Sequence, residues 1–225
     1  MKTVWILIFF FASAVTFAQD KDYALTYTTT GLELIGSFAN IEQGGASTKS
    51  SFRFAPVINV QSMVHFDFTE QIGMYSGFAL RNVGYRTKDY INPADGTIQE
   101  KAFRSYNVGI PIGLKFGKVK SMFFYGGYEI EMAVLYKEKT YENNDKIDKI
   151  AGWFSDRENI WQSGLVAGVQ LPYGGNLKFK YYLTEFHNRD YTTSGGVKPY
   201  ANLQSNVWYI SLTFYVLKNA TLYYK

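Results

Sequence analysis

Large apolar residues recur at every second position along most of the chain, and residues 106–116 show the pattern without interruption. Tyr106, Val108, Ile110, Ile112, Leu114 and Phe116 fall on one side of an extended strand, because side chains there alternate with a period of two. Ser105, Asn107, Gly109, Pro111, Gly113 and Lys115 fall on the other. A bulky apolar face backed by small, polar and glycine residues fits a strand with hydrocarbon outside and a crowded polar lumen inside.

Seven further segments repeat the alternation. Leu32, Leu34, Gly36 and Phe38 alternate with Glu33, Ile35 and Ser37. Phe52, Phe54, Pro56, Ile58, Val60, Val64 and Phe66 oppose Arg53, Asn59, Gln61 and His65. Pro56 is expected at a bulge, since it has no N–H to give to a ladder. Ile72, Met74, Phe78 and Leu80 oppose Gly73, Tyr75, Gly77 and Arg81, and near Asn82 the phase is expected to slip through a bulge so that Val83 and Tyr85 join the apolar set. Met122, Phe124, Tyr128, Ile130, Met132 and Val134 oppose Tyr125, Gly127, Glu129, Glu131 and Ala133. Trp161, Leu165, Ala167, Val169 and Leu171 oppose Gln162, Gly164, Gly168 and Gln170; Leu177, Phe179, Tyr181 and Leu183 oppose Lys178, Lys180, Tyr182 and Thr184. The last segment sets Trp208, Ile210, Leu212, Phe214 and Val216 against Tyr209, Ser211, Thr213 and Tyr215.

Tight turns are expected at 67–71, 117–120 and 172–176, and long polar connections at 41–51, 86–102, 137–158 and 188–204. This alternation of short and long predicts an all-β fold: an eight-stranded antiparallel up-and-down transmembrane β-barrel over 31–217, with short periplasmic turns and long extracellular loops. Residues 19–30 read as a periplasmic lead-in and 218–225 as a C-terminal tail. Aromatics near strand ends predict two membrane-boundary girdles, one of Phe52, Phe54, Tyr85, Tyr136, Trp161 and Trp208, the other of Phe66, Phe116, Tyr173 and Tyr215.

Composition agrees: among 225 residues, 19 Tyr, 18 Phe and 20 Gly favour strands and tight turns over helices. Mean hydropathy is only −0.16, because each apolar residue is followed by a polar one and the two cancel. Residues 1–18 read as a signal peptide, with Lys2, an apolar run over 4–11 and Thr16-Phe17-Ala18 before the cleavage point. Beyond it no apolar run approaches the roughly 20 residues of a spanning helix, so the mature chain can enter a membrane only as a barrel. With no Cys there is no disulfide, thiolate metal site or thiol nucleophile. The net charge of +4 is spread over an exported chain, which argues against nucleic acid as a partner.

The Thr16-Phe17-Ala18-Gln19 end of the leader, the aromatic, Ile-Pro, apolar and Lys succession of 106–115, and the Gly-rich, Tyr- and Phe-rich hairpins resemble a known family. This is the small outer-membrane β-barrel family common in Bacteroidetes, labelled porin-family or PorT-like. The resemblance implies an eight-stranded barrel in the cell outer membrane of a Gram-negative bacterium, with no assigned activity for most members. The tail 218–225 departs from the pattern by ending in Lys225 rather than an aromatic.

The lumen face collects Glu33, Arg53, Arg81, Lys115, Glu129, Glu131, Lys178 and Lys180. Eight strands enclose a space that side chains just fill, so these charges are expected to pair as a structural plug that fixes register. The loop aromatics Tyr90, Tyr141, Trp153, Phe154 and Tyr191 form a candidate recognition surface. No catalytic residue, cofactor or metal is expected: His65 and His187 fall at opposite ends, neither has a second His at ligand spacing, and the acidic loop residues lack a calcium-loop spacing. The expected role is a non-enzymatic barrel, structural or presenting loops. Its expected partners are outer membrane lipids and lipopolysaccharide, the barrel assembly machinery during insertion, and an unidentified extracellular or periplasmic protein. Two alternatives stay open. One is a lipid-modifying hydrolase built on His187 and Ser194 with Asp190 or Glu185. The other is a soluble lipocalin-like barrel with its apolar residues turned in to bind a small apolar ligand.

Overall fold

The computed structural model describes residues 25–119, 121–142 and 145–223, so the expected signal peptide lies outside the described residues. Its strands are β1 (Leu25–Gln43), β2 (Ala46–Thr48), β3 (Ser50–Ser51), β4 (Arg53–Ala55), β5 (Val60–Asp67), β6 (Ile72–Ile91), β7 (Ile98–Lys118), β8 (Met122–Glu142), β9 (Asp145–Trp153), β10 (Trp161–Gln170), β11 (Gly175–Tyr182) and β12 (Leu203–Tyr223). Neighbours pair in the order β10, β11, β12, β1, β5, β6, β7, β8, and β8 pairs with β10, so eight strands form a closed antiparallel ring. Closure removes the unpaired edge that an open sheet would present to lipid.

The expected orientation is the observed one. Ile110 and Leu114 are exposed on the outer wall, whereas Lys115 and Glu129 are fully buried. Phe116, Ile112, Ile110 and Val108 on β7 continue into Phe124, Tyr128 and Ile130 on β8 and Leu177, Phe179, Ile210 and Leu212 farther round. About ten residues of strand at roughly 3.4 Å each, tilted by about 45°, give a belt roughly 24 Å tall, the thickness an outer-membrane barrel covers. The soluble alternative, with apolar residues turned inward, is thereby overturned.

Four expectations change. First, β6 has no bulge at Asn82: Ala79 through Thr87 pair with β7 in one unbroken register. Val83 and Tyr85 therefore stay on the lumen side with Arg81, and both are fully buried. What looked like a change of phase is a change of filling, from polar to apolar, along the same inner face. Second, Pro56 marks a break rather than a bulge. Residues 56–59 separate β4 from β5, and Ile58 takes a positive φ of 63°. The Asn59 side chain closes the gap by donating to the Ala55 carbonyl (2.7 Å) and accepting from the Asn82 amide (2.7 Å).

Third, the long connections at 86–102 and 137–158 are largely strand. β6 and β7 stay paired out to Ile91 and Ile98, and β8 runs on to pair with β9. The β6–β7 and β8–β9 ribbons thus stand beyond the ring, joined edge to edge because β7 stays paired with β8 out to Glu100 and Tyr141. Fourth, β1 begins at Leu25 and β12 runs to Tyr223, so pairing takes in part of both segments read as lead-in and tail.

Candidate functional site: the filled lumen and its two ends

The organising strand β7 makes room at mid-barrel. A Cβ at Gly109 would lie 2.7 Å from Glu129 Oε1 and 2.9 Å from Glu131 Cγ, and one at Gly113 would collide with the Gly126 carbonyl and the Tyr75 ring. These glycines hollow the inner wall so that longer side chains from β8 and β6 can cross the lumen. Arg81 occupies that space. Its Nε donates to Glu33 Oε2 at 3.0 Å, and its Nη1 contacts Glu129 and, at 3.1 Å, Glu131. Lys180 Nζ lies 2.8 Å from Glu129 Oε2 and 2.6 Å from Glu131 Oε1; Lys178 Nζ lies 2.6 Å from Glu33 Oε1. Tyr182 Oη (2.6 Å) and Asn107 Nδ2 (2.8 Å) donate to Glu131 Oε2. Six of the eight expected lumen charges, all but Arg53 and Lys115, therefore form one network in which each carboxylate is shared between cations.

The other two stand apart. Lys115 pairs with Asp67 towards the short turns, a partner the sequence hid by placing it at the mouth of a turn. Arg53 donates to the Asn82 side chain and carbonyl rather than to a carboxylate.

Above the ionic layer, at the ribbon end, the lumen is apolar. Tyr85, Tyr90, Phe103, Tyr136, Phe186 and Tyr200 pack there as a buried cluster. His187 sits in its centre, stacked on Tyr200 at 4.3 Å with its Nε2 2.9 Å from Tyr85 Oη. Glu138 receives the Tyr136 (2.9 Å) and Tyr200 (2.6 Å) hydroxyls, and Lys101 closes over it. Glu158, bridged backbone to backbone with His187, is buried with neither carboxyl oxygen in a hydrogen bond of ordinary geometry among the described residues. Burial pushes its acid up to about 8, the nearby Ser105 hydroxyl opposing only in part, and burial holds the His187 imidazolium down to about 3 despite the Glu138 carboxylate. Both groups are neutral near pH 7.

The short-turn end is open. A cavity of about 500 Å³ is lined by Tyr27, Thr29, His65, Phe123, Gln170 and Tyr215 among others. Tyr27 stacks on His65 at 4.5 Å, and His65 Nε2 is bonded to Thr29 Oγ1 at 2.9 Å.

The expected loop-aromatic surface is not assembled. Tyr90 is buried in the cap and donates to the Pro199 carbonyl, and Tyr191 packs on Tyr200 beneath Arg157. Tyr141 lies under Arg86 on the outer wall, while Trp153 and Phe154 are exposed. Tyr85 and Tyr136 likewise leave the expected girdle for the cap, whereas Phe52, Phe54 and Trp161 stay exposed on the wall. His187 has Tyr85 as its side-chain partner, and Ser194, Asp190 and Glu185 are not bonded to it.

A closed ring with an apolar wall and an ion-paired interior defines a transmembrane β-barrel. Residues 17–188 match the family model described as outer membrane protein beta-barrel domain, and the chain belongs to that family. Its location is the outer membrane. Among solved structures it is similar to Ail, the attachment invasion locus protein of Yersinia pestis, with TM-score 0.39 and 11% identity over 85% of this chain and 98% of that one. Neisserial surface protein A gives 0.37 and 12% over 84% and 96%. The Pseudomonas putida toluene transporter TodX gives 0.28 and 11% over 71% and 46%. Scores this low assign neither activity nor ligand. A comparison with curated proteins finds no match.

Proposed function

We propose that this protein is a non-enzymatic outer-membrane barrel whose lumen is permanently plugged and whose two β-ribbons stand outside the cell, where they serve as a structural or binding surface. The observation that carries this reading is the continuous Arg81, Glu33, Glu129, Glu131, Lys178 and Lys180 network, topped by the aromatic cap. Charges held this way cannot leave their partners without stranding a buried ion, so the plug resists opening. His187, enclosed in aromatic rings, is poorly placed to serve as a base, which speaks against the hydrolase. The leader ending in Ala18 and the Ile110-Pro111 strand support a PorT-like member from the Bacteroidetes. Partners on this reading are outer membrane lipids and lipopolysaccharide, the assembly machinery during insertion, and a protein met by the ribbons or at the periplasmic mouth. Planar-bilayer recording tests it: the purified protein should insert without a steady current, and a sustained ohmic conductance would overturn the plugged reading.

A further inference from the structure

On the outer wall, β7, β8 and β9 carry three successive cross-strand rows. The lowest, at the top of the apolar belt, is Tyr106, Leu135 and Trp153; the next is Arg104, Lys137 and Ala151; the third is Ala102, Lys139 and Lys149. Arg104 thus faces Lys137 directly, and Lys139 faces Lys149, with Lys146 one step farther out opposite Tyr141. Like charges at directly opposed positions destabilise a ladder. Among the described residues these five cations form no ion pair: Glu138 points into the lumen, Glu100 is taken by Arg86, and Asp148 opposite Thr140 and Asp145 opposite Glu142 fall on the alternate register positions of the ribbon. Below the patch, Lys137 Nζ lies 4.8 Å over the Tyr106 ring and Arg104 Nη1 is 3.3 Å from Tyr106 Oη, which ties the cations to the upper rim of the belt.

We infer that the Arg104, Lys137, Lys139 and Lys149 face is a binding site for the phosphates of a phosphorylated glycolipid head group in the surrounding outer leaflet. The chemistry is set by height and sign. The cations begin where the hydrocarbon wall ends, which is head-group level, and they project sideways into the bilayer rather than upward into solvent. In these rows the small Ala102 stands opposite Lys139 and the small Ala151 opposite Lys137, so no bulky side chain stands between the cations and a phosphate. A bound phosphate turns the like-charge pairs into charge-assisted hydrogen bonds. The site rests on the outward placement of the ribbon end, not on whether the lumen is plugged.

Native mass spectrometry of the purified barrel in maltoside detergent, titrated with bisphosphorylated lipid A and with its dephosphorylated form, tests the assignment. The wild type should bind the bisphosphorylated form at least about tenfold more tightly, and the K137Q/K139Q/K149Q variant should lose that preference. Folding of each protein is read separately from its gel shift on boiling. Should the triple variant fail to fold, Ala151→Glu, which sets one carboxylate beside Lys137, should abolish the preference with the wall otherwise intact. Equal binding of the two lipids by the wild type, or retention of the preference by either variant, overturns the site. So does displacement of the lipid by soluble pyrophosphate at equal concentration, which would make the patch a receptor for free anions.

Discussion

Arg81 touches three carboxylates, so Arg81→Met should strand negative charge at mid-barrel and cost about 3–5 kcal/mol, seen as a lower temperature for conversion to the unfolded form on gels. The Glu158 and His187 pair sets a pH window. Folded Glu158 keeps its proton up to about 8, so its contribution is complete below its ordinary 4.5 and is lost as pH rises through 8. His187 stays neutral down to about 3, so its contribution is complete above 6.5 and is lost as pH falls towards 3. Stability of the cap should therefore peak between about pH 4.5 and 6.5, and Glu158→Gln should flatten the alkaline limb alone in a pH series of thermal midpoints. Most lumen charges were legible in the sequence because a period of two admits one inner face per strand. Asp67 was hidden by its turn, and Tyr85 was misplaced because an apolar residue inside a barrel mimics one outside.

Among the elements, β7 and the β8–β9 ribbon tolerate change in opposite ways. Gly113→Val on β7 should prevent the ring from forming, since its side chain would meet the Gly126 carbonyl and Tyr75; loss of the heat-dependent gel shift would register this. Replacing residues 142–147 by a two-residue turn should leave the shift intact, because the described residues there pair only within the β8–β9 ribbon and have no partner on β7. The eight ring strands were visible as alternation, yet the ribbons were not. Residues 145–149 are exposed on both faces, so no buried side imposes a hydrophobic period, and backbone pairing alone holds them.

At the scale of the whole molecule the lumen is a graded filling: an open mouth of about 500 Å³, a middle of ion pairs and an aromatic cap. Removing both charges of one pair in the Arg81→Met, Glu129→Gln variant should create a measurable ion leak in planar bilayers, whereas Arg157→Gln at the rim should not. The sequence conveyed the cylinder but not this vertical order, because a dyad repeat says which wall a side chain leaves, not what it meets across the lumen. The seam between β1 and β12 joins Leu25 to Tyr223, nearly the full span of the described chain. The earliest strand made must therefore wait for the last before it can be zipped shut, with two sticky margins unsatisfied in the interval. A nonsense codon anywhere before Leu203 should therefore leave a product that cannot close its ring, seen as a protease-sensitive chain rather than a smaller pore.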